Sequence, residues 1–231
     1  MSRIVRALGL LLLAAALSAG AAWAQPCCGP ITAEGQRLAA FLDGTGVDHL
    51  WLAGWHVDWR SGQTDRAEPG GPEAKTHCSA FVAAVADRLG VYVLRPPEHP
   101  QNLLANAQMG WLAQQARSYG WRPVGGALSA QQLANTGALV VAAFANPDPD
   151  RPGHIAVIRP SQKTASELIA DGPQETQAGQ TNALSTTIAT GFRHHSGAWQ
   201  PGGGGAIRYY AHAVDWSRVA PAGERRGAQT R

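Results

Sequence analysis

Two residues have the chemistry of a nucleophile and its base. Cys78 stands in Lys75-Thr76-His77-Cys78-Ser79-Ala80-Phe81-Val82, and His154 follows the glycine in Gly153-His154-Ile155-Ala156-Val157-Ile158. A thiol becomes a strong nucleophile once its proton can leave, and imidazole titrates in the range where it can take that proton. A third polar group, from a neighbouring strand, normally orients the imidazole. Each residue also has a structural use. A lone cysteine is more often a small buried residue or half of a disulfide, and a histidine at a strand end is often packed or capping.

Local sequence places both residues. After Cys78, apolar residues recur at Val82, Val85 and Leu89, on one helical face, and Gly90 stops the pattern. Glu68 to Glu73 is rich in proline and glycine, so the helix is expected to begin near Thr76 as N-cap. Cys78 then falls in the first turn, where unpaired N–H groups and the helix dipole favour a thiolate and offer an oxyanion site. Leu139 to Phe144 is a continuous run of β-formers, expected to be a strand buried on both faces. A loop with three prolines, Asn146 to Gly153, joins it to a strand from His154 to Arg159 as an antiparallel pair.

The other elements are read from the same signals. Helices are expected over Ala33 to Leu42, Asn102 to Arg117 and Ser129 to Ala134, the last capped by Ser129. Extended pieces are expected at Gly120 to Val124, Glu167 to Ala170, Gln174 to Gly179 and Ala206 to Val214. Ser185 to Thr190 reads as a short helix and residues 60–73 as a loop. Trp51, Trp55 and Trp59 are spaced four apart, but the glycines around them make a helix doubtful. A packed aromatic cluster is the favoured reading, and a groove wall for sugars or peptides the other. His77, His99, His194, His195 and His212 read as surface residues. Helices first and strands after point to an α+β fold, with a helical layer on an antiparallel sheet.

The stretch Thr76 to Val82 resembles the cysteine motif of CHAP and NlpC-type cell-wall hydrolases, and Gly153 to Ile158 resembles their Gly-His-aliphatic strand. The likeness covers mainly residues 74–182. It implies a papain-like fold and hydrolysis of amide bonds in peptidoglycan peptides, with no cofactor. It makes Cys78 the nucleophile and His154 the base. The third member is Gln177 by first choice, with Glu175 on the same strand face and Asn182 as alternatives. The sequence departs from the NlpC pattern at His77, where an aspartate is usual. Its segment from Asn102 to Ala134 is longer than a minimal hydrolase needs and is expected to shape the groove. Two other outcomes stay open: acyl transfer or transglutamination by the same thiol, and a wall-binding protein that has lost the chemistry.

The ends set the compartment. Residues 1–24 have the form of a secretory signal: Arg3 and Arg6, an apolar run from Ala7 to Leu17, and Ala22-Trp23-Ala24 before the cut. An exported, monomeric protein of residues 25–216 is expected, secreted or periplasmic, followed by a disordered basic tail, 217–231. Of the net charge of +3, the tail carries +3 and the two signal arginines +2, which leaves the body at −2. The positive charge therefore lies at the ends and does not indicate a nucleic-acid-binding surface, and no second stretch is apolar enough for a membrane span. Cysteines number three, so one is unpaired within the chain. If Cys78 is catalytic, Cys27 and Cys28 must bond to each other, bond to a partner or stay reduced. The cysteine and histidine spacings support no zinc site.

Overall fold

The computed structural model describes residues 26–71 and 75–220. Helix α1 (Ala33–Asp43) is capped by Thr32, whose hydroxyl accepts from the Gly35 N–H. A hairpin of β1 (Trp55–Val57) and β2 (Thr64–Ala67) follows. Then come α2 (Cys78–Arg88), α3 (Leu104–Gln114), a 3-10 turn over Ala116–Tyr119, β3 (Arg122–Val124) and α4 (Ala127–Asn135). The rest of the chain is β4 (Leu139–Phe144), β5 (His154–Ile158), α5 (Ala165–Asp171), β6 (Gln174–Gln177), β7 (Ala183–Thr187), α6 (Ile188–Gly191) and β8 (Arg208–His212).

The fold is α+β. Six strands form an antiparallel sheet in the order β3-β8-β4-β5-β6-β7, so β4 and β5 are central. All their residues are buried, as expected for apolar strands covered on both faces. Alternation then divides the core. Val141, Ala143, Ile155 and Val157 join the cluster that holds α1, α2 and α3. Val140, Ala142, Ala156 and Ile158 join a second cluster with Ala130 and Ala134 of α4 and Ile188 of α6. Helices therefore cover both faces of the sheet, one layer more than the sequence suggested.

Helix α2 lies at the centre. Nine consecutive residues, Cys78 to Ala86, are buried, so it has no wet face along most of its length. Burying Phe81, Val82 and Val85 is worth roughly 1.5–3 kcal/mol each. Its small residues Ala80, Ala83 and Ala84 are fully enclosed. From α3, the Gln108 amide donates to the carbonyls of Ser79 and Leu94, tying the first turn of α2 in place.

Several local expectations are corrected. The N-cap of α2 is His77, not Thr76, and Cys78 is the first helical residue. Helix α4 starts at Ala127 behind Gly126, with Ser129 inside it. Glu167 to Ala170 is helix, not strand. Thr164 and Glu167 form a reciprocal capping box there, the Thr164 N–H donating to the Glu167 carboxylate at 2.6 Å. Ser185 to Thr190 divides into the end of β7 and α6, because residues through Thr187 pair with β6. The expected loop 60–73 contains β2. The three tryptophans share no helical face. Trp51 is buried against Phe81 and donates to the Trp59 carbonyl, whereas Trp55 is exposed.

Val219 is buried in the first cluster, and the Arg37 guanidinium donates to the carbonyls of Trp216 and Val219. The folded body thus passes the expected boundary at 216. The secretory signal, the cut after Ala24 and the tail from 221 lie outside the described residues. Among the described residues, no helix is long and apolar enough to cross a membrane.

Candidate functional site

His154 is held from below by a chain of amides. Its Nε2 lies 2.7 Å from Gln177 Oε1, and the Gln177 Nε2 donates to the Thr181 carbonyl at 3.0 Å. A carbonyl accepts only, so Thr181 fixes which end of the Gln177 amide faces His154: the oxygen. The ring therefore carries its hydrogen on Nε2 and donates it, and Nδ1 is left with the basic lone pair. Glycine stands at 153, just before the strand, because the backbone is crowded there. A Cβ would overlap the Phe144 carbonyl and the Asn106 side chain. That Asn106, on α3, donates to the Arg151 carbonyl and accepts from the Asn146 N–H, which anchors the β4–β5 loop.

The backbone N–H groups of Ile155, Ser79 and Cys78 itself lie near enough to the Cys78 sulfur to favour its thiolate. The first belongs to the peptide that joins His154 to Ile155. The structure thus brings the sulfur to the main chain of His154. The two side chains depart from that point differently. Cys78 belongs to the first cluster. The imidazole follows the alternation of the second, edge-on to Phe192 at 4.6 Å between ring centres and stacked on His195 at 5.1 Å.

Burial governs both protonation states. It pushes the Cys78 thiol up from its ordinary value, against the opposing pull of the three N–H groups. The helix N-terminus therefore does not produce a resting thiolate, contrary to expectation. Burial, reinforced by His195, holds His154 down at about 3, with the Gln177 bond pulling the other way. The resting pair is a neutral thiol and a neutral imidazole.

The alternatives for the third member separate clearly. Asn182 is structural: its amide donates to the carbonyls of Val47, Leu50 and Trp51 and accepts from the Gly179 N–H. Glu175 is fully enclosed, and both carboxyl oxygens lack a hydrogen-bond partner. Burial raises it well above the usual carboxylate range, so it is a neutral acid. A Cβ at Gly191 would overlap the Glu175 carboxyl and lie 2.7 Å from Gln177 Oε1, so only glycine fits behind the pair.

A groove of about 580 Å³ opens over this floor. Thr76, His154 and Gln177 line it, with the β4–β5 loop on one side and the β6–β7 loop and the residues after α6 on the other. No protein-family model matches the chain, and no curated protein is similar to it at a significant level.

Two histidines read as surface residues belong to the site's surroundings. His77 is 1 % exposed and its Nε2 bonds the Trp55 carbonyl at 2.8 Å, pinning the β1–β2 hairpin to the start of α2. Burial lowers its pKa, so it is the neutral donor in that bond. His195 is half-buried on the ring of His154. No periodicity marks either one. The only sequence signal was position: His77 adjoins the cysteine, and His195 follows a short helix in a glycine-rich loop.

The expected alternatives for the cysteines also separate. Cys27 and Cys28 form a disulfide with each other, and Cys78 is a free, buried thiol. Among the described residues, no group of three or more histidine, cysteine, aspartate or glutamate side chains is placed to hold a metal ion.

Proposed function

We propose that this protein is an exported papain-like cysteine hydrolase that cuts amide bonds in peptidoglycan peptides. The observation that carries the reading is the Thr181–Gln177–His154 chain, which leaves Nδ1 as the basic nitrogen. Nδ1 is the ring nitrogen nearer the main chain, and the sulfur rests at that same stretch of main chain.

In the reaction Cys78, which rests in the first cluster and does not line the groove, has to turn towards the imidazole; its proton then passes to Nδ1 as the sulfur attacks the amide carbonyl. The pair gains no net charge, so the step does not require either group to ionise alone. N–H groups at the start of α2 stabilise the oxyanion. The imidazolium then protonates the leaving amine, and a thioester remains. Water, deprotonated by the same nitrogen, hydrolyses it and restores the thiol. Gln177 keeps the ring in one tautomer and orientation throughout.

The test is digestion of purified cell wall by the mature chain and by Cys78→Ala. Soluble fragments with new amino termini are expected from the first alone. If neither releases fragments, or both release the same ones, the reading fails. A second reading, a wall-binding protein on the same scaffold, is favoured by the 5 % exposure of Cys78. It expects both forms to sediment with cell wall and neither to cut it.

A further inference from the structure

The body of the chain carries net negative charge, yet the groove gathers two guanidinium groups. Arg151 comes from the β4–β5 loop, and Arg193 from the segment after α6, next to His194 and His195. Asp148 is the one acid among the lining residues. Among the described residues, neither Arg151 nor Arg193 has an acidic side chain within ion-pair distance. Elsewhere Arg60 and Arg95 share Asp87, and Arg159 pairs with Asp43. Arg151 stands close enough to His195 to disfavour that ring's cation, after burial and together with His194.

Uncompensated positive charge in a concavity concentrates its field, and guanidinium groups match carboxylates in geometry and charge. The two guanidinium groups line the same groove as His154 and Gln177, the space a substrate would fill. We infer that the groove selects peptides with a free carboxylate close to the scissile amide, and that Arg151 and Arg193 are the residues that recognise it. This rests on the reading of the groove as the substrate site.

Binding can be measured without turnover. The full chain as Cys78→Ala is titrated calorimetrically with N-acetyl-Ala-Glu, which has two free carboxylates, and with its uncharged counterpart N-acetyl-Ala-Gln-amide. The acid is expected to bind about tenfold tighter at low salt, and the difference to shrink as salt screens it. The Arg151→Gln/Arg193→Gln variant should lose the preference, and Arg151→Lys/Arg193→Lys should keep most of it. Equal affinities, no binding of either peptide, or a preference that survives the glutamine variant overturns the inference. Failure to cleave cell wall would instead sink the hydrolase reading and leave an acid preference standing.

Discussion

Gln177 decides which nitrogen of His154 is basic, because its own amide is oriented by Thr181. Gln177→Leu is the same length to Cδ but cannot accept. The ring is then free to place its hydrogen on Nδ1, and turnover should fall on the order of a hundredfold with little change in KM. Steady-state fragment release reads this, and unchanged kcat would remove Gln177 from the mechanism. Two buried groups also set the pH range of stability. His154 has a folded pKa below its ordinary value, so the folded state binds fewer protons. The stability it contributes is present above about pH 6.5 and is lost as pH falls towards 3. Glu175 is opposite. Its folded pKa is raised above 4.5, so its contribution is full below that value and declines as pH rises. Glu175→Gln keeps the shape and removes the ionisation. Its melting temperature should exceed that of the parent at pH 8 and approach it at pH 4, and an equal difference at both would show that the carboxyl does not titrate on folding.

At the scale of elements, the site depends on contacts between segments far apart in the chain. The β6–β7 loop is held by Asn182 to the carbonyls of Val47, Leu50 and Trp51, more than 130 residues away. Asn182→Ala leaves those carbonyls without this donor and frees the Gly179 N–H. A loss of about 2–3 kcal/mol in unfolding free energy, measured by denaturant titration, is expected, since several hydrogen bonds fail together. Activity measured far below the midpoint should fall less than in Gln177→Leu, because Thr181 and Gln177 remain. A variant as inactive as Gln177→Leu would place Asn182 in the chemistry. The segment from Asn102 to Ala134 has a clear use at this scale. Asn106 anchors the groove's β4–β5 loop, and Gln108 holds the first turn of α2.

For the molecule as a whole, the sheet is the shared wall of two cores, and the site opens at the end of the sheet where β5 begins and β6 ends. The Cys27–Cys28 disulfide contributes little to that architecture. It spans adjacent residues, so the chain entropy it removes amounts to about 1 kcal/mol at most, against roughly 3 for a 15-residue loop. The N-terminal segment is also held by backbone, through the Cys27 N–H to Lys163 and the Pro26–Thr164 bridge. Cys27→Ser/Cys28→Ser should therefore melt within a few degrees of the parent, and a larger fall would mean that the disulfide organises more than its own turn. Sequence alone determined α2, β4, β5 and the positions of Cys78 and His154 at their starts. Those follow from periodicity, continuous apolar runs and turn residues, all written within a few positions of where they act. It also ranked Gln177 first among the partners of His154. Only tertiary structure excluded Asn182, buried His77, stacked His195 on His154 and collected Arg151 with Arg193. Which loop meets which is set by packing across the sheet, and no local pattern carries that. The resting thiol has the same origin: helix position favours the thiolate, but enclosure by the whole core outweighs it.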